Sequence, residues 1–201
     1  NQSIELLDST HFYGTIPKGE SKEFMGICRF LVSDTITDQE QITLQMYFSG
    51  KDTASNLHTW PFELDITVNA PDLKMGKMRV IDSTGSGEGI LDPGETAELQ
   101  FELINAGHAA IADVIGQLSL VTGNAYITLD KSTDGPLSVG PGDTALLNFQ
   151  VSSDGSTPLD TTLTFHMAVS GGPYGFYSAQ TDRELTIGDI PKFLISDQGP
   201  L

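Results

Sequence analysis

Ala97, Leu99, Phe101 and Leu103 alternate with Glu98, Gln100 and Glu102, and a period of two belongs to a β-strand with one face in a core and the other in water. The pattern recurs where Leu147, Phe149 and Val151 alternate with Asn148 and Gln150. It recurs again where Leu163, Phe165, Met167 and Val169 alternate with Thr164, His166, Ala168 and Ser170. Between these runs stand DPG, NAG, VGPGD and SGGP, combinations that reverse the chain. No stretch carries a convincing helical period. Half-buried strands separated by tight turns predict an all-β chain of stacked antiparallel sheets, in the manner of an immunoglobulin-like β-sandwich.

The pattern also repeats. With Asn1 set on Asn124, Ile4 falls on Ile127, Ser9-Thr10 on Ser132-Thr133, Ile16 on Val139, and Gly19-Glu20-Ser21 on Gly142-Asp143-Thr144. After a short insertion Phe30-Leu-Val-Ser33 meets Phe149-Gln-Val-Ser152, and TLQMYFSG (Thr43 to Gly50) meets TFHMAVSG (Thr164 to Gly171). Self-similarity at this spacing predicts tandem sandwiches. The segment from about Ala70 to Gly123 has no partner. Residues 1–69 therefore read as the back half of one repeat, 70–189 as a complete repeat, and 190–201 as a linker or the start of a following domain. The incomplete first copy is expected to form antiparallel strands with open edges and uncovered apolar faces, a setting for packing against the second unit or for self-association. The run IPKFLIS (Ile190 to Ser196) adds an apolar tail.

The sequence DSTGSGEGILDPGETAELQFELINAGHAAIADVIGQLSL, followed by AYITLD, LSVGPGDTALLNFQVS and LTFHMAVSGG, resembles the immunoglobulin-like accessory repeats of gingipain-like cysteine peptidases and other large bacterial secreted or surface proteins. The resemblance covers residues 71–189, and its back half covers residues 4–69. It implies a fold and a location outside the cell or on its surface, and no activity.

The loop Asp82 to Glu95 takes three readings. Gly85, Gly87 and Gly89 do not make a phosphate loop, because no Lys accompanies them and a strand rather than a helix follows. Asp82, Thr84, Ser86 and the backbone of Glu88 stand at the spacing of the opening ligands of an EF-hand, with Gly87 at its turn, so calcium is a second reading. The closing bidentate Glu is absent there, and Asp92 and Glu95 would have to replace it. The third reading is a turn, in which Pro93 presets the first central torsion, Gly94 takes a positive φ, and Asp92 accepts backbone N–H groups. It accounts for more of the residues.

Charge and composition narrow the function. Acidic residues outnumber basic ones 27 to 10, for a net charge of −17, which repels nucleic acid and anionic membranes. No apolar run approaches the roughly 18 residues that span a bilayer, and no charged-then-apolar leader opens the sequence, so an internal soluble piece is expected. The 201 residues, 38% of them hydrophobic, suffice for one large or two small cores. Cys28 is the single cysteine. By the Phe30-on-Phe149 alignment it takes the place of Leu147, which reads as a core thiol rather than a nucleophile served by His11, His58, His108 or His166. Asp182 and Glu184 could be drawn as a glycosidase pair, but on a sandwich strand they face water. Two aromatic loops are stronger candidates for contact with sugar or protein, HTWPF with Trp60 and GGPYGFY with Tyr174, Phe176 and Tyr177. The reading that follows is a non-catalytic module, a structural spacer or docking platform whose partners are the neighbouring domains of its polypeptide. The alternative is a carbohydrate- or protein-binding adhesion module using the aromatic loops.

Overall fold

The computed structural model describes residues 3–23, 25, 28–82, 89–122 and 125–188. The chain divides into two units, Asn1–Ala70 and Pro71–Leu201. The first contains β1 (Ile4–Asp8), β2 (Arg29–Val32), β3 (Glu40–Lys51) and β4 (Leu57–Val68). The second contains β5 (Leu73–Ile81), β6 (Thr96–Asn105), β7 (Ile111–Thr122), β8 (Ile127–Lys131), β9 (Thr133–Val139), β10 (Thr144–Ser153), β11 (Thr161–Gly171) and β12 (Tyr177–Ile187). The described residues are all-β apart from one short 3-10 turn, Pro173–Gly175.

In the second unit the alternating runs become two four-stranded antiparallel sheets, ordered β5-β6-β10-β8 and β12-β11-β7-β9. Their inner faces form a sandwich-like core. Leu99, Phe101 and Leu103 of β6 with Leu147, Phe149 and Val151 of β10 supply one side, and Leu163, Phe165 and Met167 of β11 supply the other; all are fully buried. Phe101 and Phe149 meet edge to face at 5.8 Å, the arrangement that aromatic quadrupoles favour. Gly116 in β7 lets the two layers close, because a Cβ there would stand 2.7 Å from the Met167 side chain and 3.1 Å from that of Leu147. Each large side chain removed from water contributes about 1.5–3 kcal/mol, so this interior supports an independent fold.

Among the described residues of that unit, one polar side chain has no exposed surface. Asn105, the Asn of NAG, is fully buried at the end of β6. Its amide nitrogen donates to the carbonyls of Ala109 (2.8 Å) and Val139 (3.2 Å), and its amide oxygen accepts from the backbone N–H of Asp72 and of Gly107, both at 3.1 Å. A single residue thus ties the start of β5, the 106–109 turn and the end of β9, which belong to different sheets. Its own backbone closes the Gly140–Asp143 turn, through Asn105 N–H to Asp143 O (3.0 Å) and Gly142 N–H to Asn105 O (2.8 Å).

The first unit holds two separate two-stranded antiparallel sheets, β1-β2 and β3-β4. One face of the β3-β4 ribbon is polar and laced by cross-strand hydrogen bonds, Gln41 to Thr67 (2.9 Å), Thr43 to Asp65 (2.7 Å) and Gln45 to Glu63 (3.2 Å). The other face pairs Ile42 with Ile66, Leu44 with Leu64, Met46 with Phe62 and Phe48 with Trp60. Among the described residues only Ile36, Leu44 and Ala70 of this unit are buried apolar groups.

The pairing in the two units has the same register. Ile4, Glu5, Leu6 and Asp8 lie opposite Val32, Leu31, Phe30 and Arg29, skipping Leu7; Ile127, Thr128, Leu129 and Lys131 lie opposite Ser153, Ser152, Val151 and Gln150, skipping Asp130. The irregularity falls at the same place in both. This sets Phe30 on Val151, two residues from the position that sequence similarity alone suggests. Cys28 lies ahead of β2, which begins at Arg29, rather than within a strand, and it is half-buried rather than a core group. The physical reason is the missing neighbour: β10 is held on both sides by β6 and β8, whereas β2 has only β1 and extends over four residues.

Replacing Asn105 by Ala leaves several backbone groups unpartnered inside the second unit, and should lower stability by roughly 2–4 kcal/mol in urea unfolding. A loss of only a few tenths, the size of a surface change, would mean that water substitutes for the amide.

Candidate functional site

The aromatic residues singled out by sequence do not form one site. Tyr174 lies at the tip of the β11-β12 hairpin, fully exposed, with a φ of 56°. That left-handed conformation costs a non-glycine residue about 1–2 kcal/mol, and the turn around it is fixed by short bonds. Gly172 N–H donates to Ala112 O (3.0 Å), Gly175 N–H to Gly172 O (3.1 Å) and Phe176 N–H to Pro173 O (3.1 Å). Phe176 is also exposed and meets the ring of Tyr177 edge-on at 5.3 Å. Tyr177 itself opens β12 and packs inward against the core. The tip therefore offers two rings, not three.

Trp60 is not in a loop. It lies within β4, opposite Phe48, with 56% of its surface exposed and its ring stacked on His58 at 5.9 Å. The loop nearest to it, between β3 and β4, is organised by Asp52. The Asp52 carboxylate accepts from the N–H groups of Ala54 (2.8 Å) and Asn56 (2.9 Å) and from the Asn56 side chain (3.0 Å), and pairs with His58 Nε2 at 3.1 Å. The Asn56 side chain, then His58, hold its pKa down at about 2, since hydrogen bonds to the charged form favour it.

At the Asp82–Glu95 loop, Thr84, Ser86 and Glu88 lie outside the described residues, as do Gly85 and Gly87. Asp82 is buried and Asp92 and Glu95 are half-buried. The Asp92–Glu95 segment is a tight turn: Gly94 has a φ of 85°, and Glu95 N–H donates to Asp92 O at 3.1 Å. The Glu95 carboxylate accepts from Asp92 N–H (3.2 Å). The turn is stitched to the sandwich by Gly94 N–H to Ser153 O (3.1 Å), Ser153 N–H to Glu95 O (2.8 Å) and Gly188 N–H to Leu91 O (3.0 Å). Among the described residues no three His, Cys, Asp or Glu side chains converge to hold a metal.

Several other ionisable groups pair between neighbouring strands. His166 and Asp182 face each other across β11 and β12 at 2.6 Å on the outer face, while Glu184 is exposed beyond them. Arg79 pairs with Glu102 at 2.9 Å and Lys131 with Asp134 at 2.6 Å; the Arg183 guanidinium donates to Gly76 O at 2.9 Å, joining β12 to β5. Two surface grooves accompany them. One, of about 560 Å³, lies on the β7-β11-β12 sheet beside Ile115, Gln117 and Ser170. The other, of about 520 Å³, runs along β3 from Glu40 to Gln45 and faces Ser3, Ile4 and Leu6. Sequence reasoning missed this second groove and the Asp52 network, and the only signal for the latter was an Asp four residues before an Asn.

No family model matches the chain, and no curated protein matches it. Solved structures similar to it include a FixG-related protein from Vibrio parahaemolyticus (13% identity, TM-score 0.36, covering 57% of this chain and 95% of that one). The sporulation control protein Spo0M from Bacillus subtilis gives 14% identity and a TM-score of 0.34 over 62% of this chain and 51% of that one. The chaperone DraB from E. coli gives 15% and 0.33 over 59% and 55%. The chain thus spans about half the length of the latter two, and at these scores none bears on what it does. No helix among the described residues is long and apolar enough to cross a membrane.

The Asp52 network makes a prediction about pH. A depressed carboxylate pKa contributes stability that is complete above the ordinary value of 3.8 and is lost as pH falls through about 2. The amide resonances of Ala54 and Asn56 should titrate with a midpoint near the lower value; a midpoint at the ordinary one would contradict the network.

Proposed function

We propose that the chain is a non-catalytic module, built from tandem immunoglobulin-like sandwiches of which the first is incomplete, and that it serves as a spacer or docking platform within a larger secreted or cell-surface bacterial protein. The observation that carries this reading is the employment of its chemistry-bearing side chains. His166 with Asp182, Arg79 with Glu102 and Lys131 with Asp134 each join segments of the sheet framework, so these six charge-bearing side chains hold strands together. The shared register of β1-β2 with β8-β10 supports the tandem reading, and the resemblance to accessory repeats supports the location.

A second reading, adhesion to carbohydrate or protein, is favoured by one observation. Tyr174 is fully exposed on a turn whose backbone is fixed in a costly conformation, and a rigid aromatic loses little freedom on binding. A glycan array probed with the full chain separates the two. The scaffold reading expects no retention; retention that disappears in Tyr174→Ala, or in Trp60→Ala, would make adhesion the function.

Calcium at the Asp82–Glu95 loop is a further proposal, supported by the spacing of Asp82, Thr84, Ser86 and Glu88 in the sequence. An ion bound only by the folded state raises the melting temperature, so chelator should lower the melt of the intact chain. An unchanged melt removes calcium and leaves the turn.

A further inference from the structure

We infer that the outer face of β7, β11 and β12 binds an uncharged oligosaccharide, laid along β11 between the β11-β12 tip and the His166–Asp182 pair. The inference rests on the adhesion reading and moves its contact from the aromatic rings alone to the sheet beside them. Two cross-strand rows line the groove of about 560 Å³ on this sheet, a volume within the roughly 300–1,000 Å³ of small-ligand sites. Ala168 has Gln117 on one side and Gln180 on the other, and Ser170 has Ile115 and Ser178. Short side chains on the middle strand thus make a floor between longer ones, about 10 Å wide across the three strands.

One residue opens this floor. With TFHMAVSG set on TLQMYFSG, Ala168 takes the place of Tyr47, a tyrosine that is 65% exposed on β3. The polar groups differ as well. Between β3 and β4, Ser49 bonds Thr59 and Gln45 bonds Glu63, both at 3.2 Å; among the described residues no such bond ties the side chains of Gln117, Gln180, Ser170 or Ser178. Amides and hydroxyls both donate and accept, so four of them around one floor suit a ligand that presents hydroxyls at several positions. Neither row carries a charge, and a net charge of −17 disfavours an anionic ligand. The tip turn borders the Ser170 end, where a Cβ on Gly175 would stand 3.5 Å from the Ser170 side chain. Fully exposed Tyr174 belongs to that turn, and its ring offers an apolar face to a sugar. A peptide is less suited, because β11 is paired along both edges and leaves no ladder bonds for an added strand.

The probes are neutral trisaccharides to hexasaccharides of glucose, galactose, mannose and N-acetylglucosamine, titrated into the full chain. At least one should shift, saturably, the backbone amides of Gln117, Ala168, Ser170 and Gln180 and the side-chain amides of both glutamines. Ala168→Tyr, which installs the residue that β3 carries, should fill the floor and weaken that binding roughly tenfold or more. Gln117→Ala combined with Gln180→Ala should do the same without adding bulk. As surface changes, both variants should keep the urea midpoint of the parent. Binding that survives both variants and is lost in Tyr174→Ala would overturn the groove and leave adhesion to the rings. No shift with any of the sugars, equal binding of sialylated or uronic-acid oligosaccharides, or the same amides moved only by an uncharged Gln- and Ser-rich peptide would each overturn it too. The adhesion reading falls with it only where the glycan array retains nothing.

Discussion

A β-strand has two hydrogen-bonding edges, and much of this molecule follows from whether both are met. β11 is paired along both sides, by β7 and β12, and it sits at the centre of a buried core. β3 has the same hairpin partner and the same alternation, but one side remains open and most of its apolar face is exposed or half-exposed. The sequences of the two strands are alike; their surroundings are not. Tertiary pairing rather than local propensity therefore decides how much of each strand is buried. The same constraint shortens β2 relative to β10 and leaves residues 10–16 without the strand that their counterparts form.

Where both layers are present, two small features allow them to close. Gly116 gives the Met167 and Leu147 side chains room to meet across the interior. Asn105 satisfies backbone groups at a corner where a β-ladder cannot reach them. Buried polar backbone without a partner is costly, and turns that link two sheets are where ladder partners run out. One amide with two donors and an acceptor oxygen that takes two bonds replaces them. No comparable buried polar side chain is found among the described residues of the first unit.

The strands of the second unit were legible because their alternation is strict: every inward residue of β6, β10 and β11 named from the pattern is buried to some degree in the sandwich. The DPG turn was legible because Pro and Gly each demand one torsion. Less was legible at the candidate sites. Trp60 reads as a loop residue because Pro61 follows it, yet β4 is an edge strand, where a missing N–H removes no bond on the open side. Tyr177 reads with Tyr174 and Phe176 because all three are adjacent, but the period of two turns it inward. The register of β2 slipped by two residues in the sequence comparison, because matching Phe30 to Phe149 rewards identity, and a two-residue shift keeps the same face inward. Asn105 stood in a recognisable tripeptide, but nothing in a linear pattern says that its side chain, rather than the turn, is what the position requires.

The claim on which the rest depends is that β3 is paired along one edge, by β4, whereas β11 is paired along both. Hydrogen exchange resolved at single amides tests it directly on the full chain at low concentration. β11 amides should be slow on both edges. Those of β3 should alternate, slow where they face β4 and fast where they face the groove. Uniformly slow exchange along β3, matching that of β11, would contradict the account.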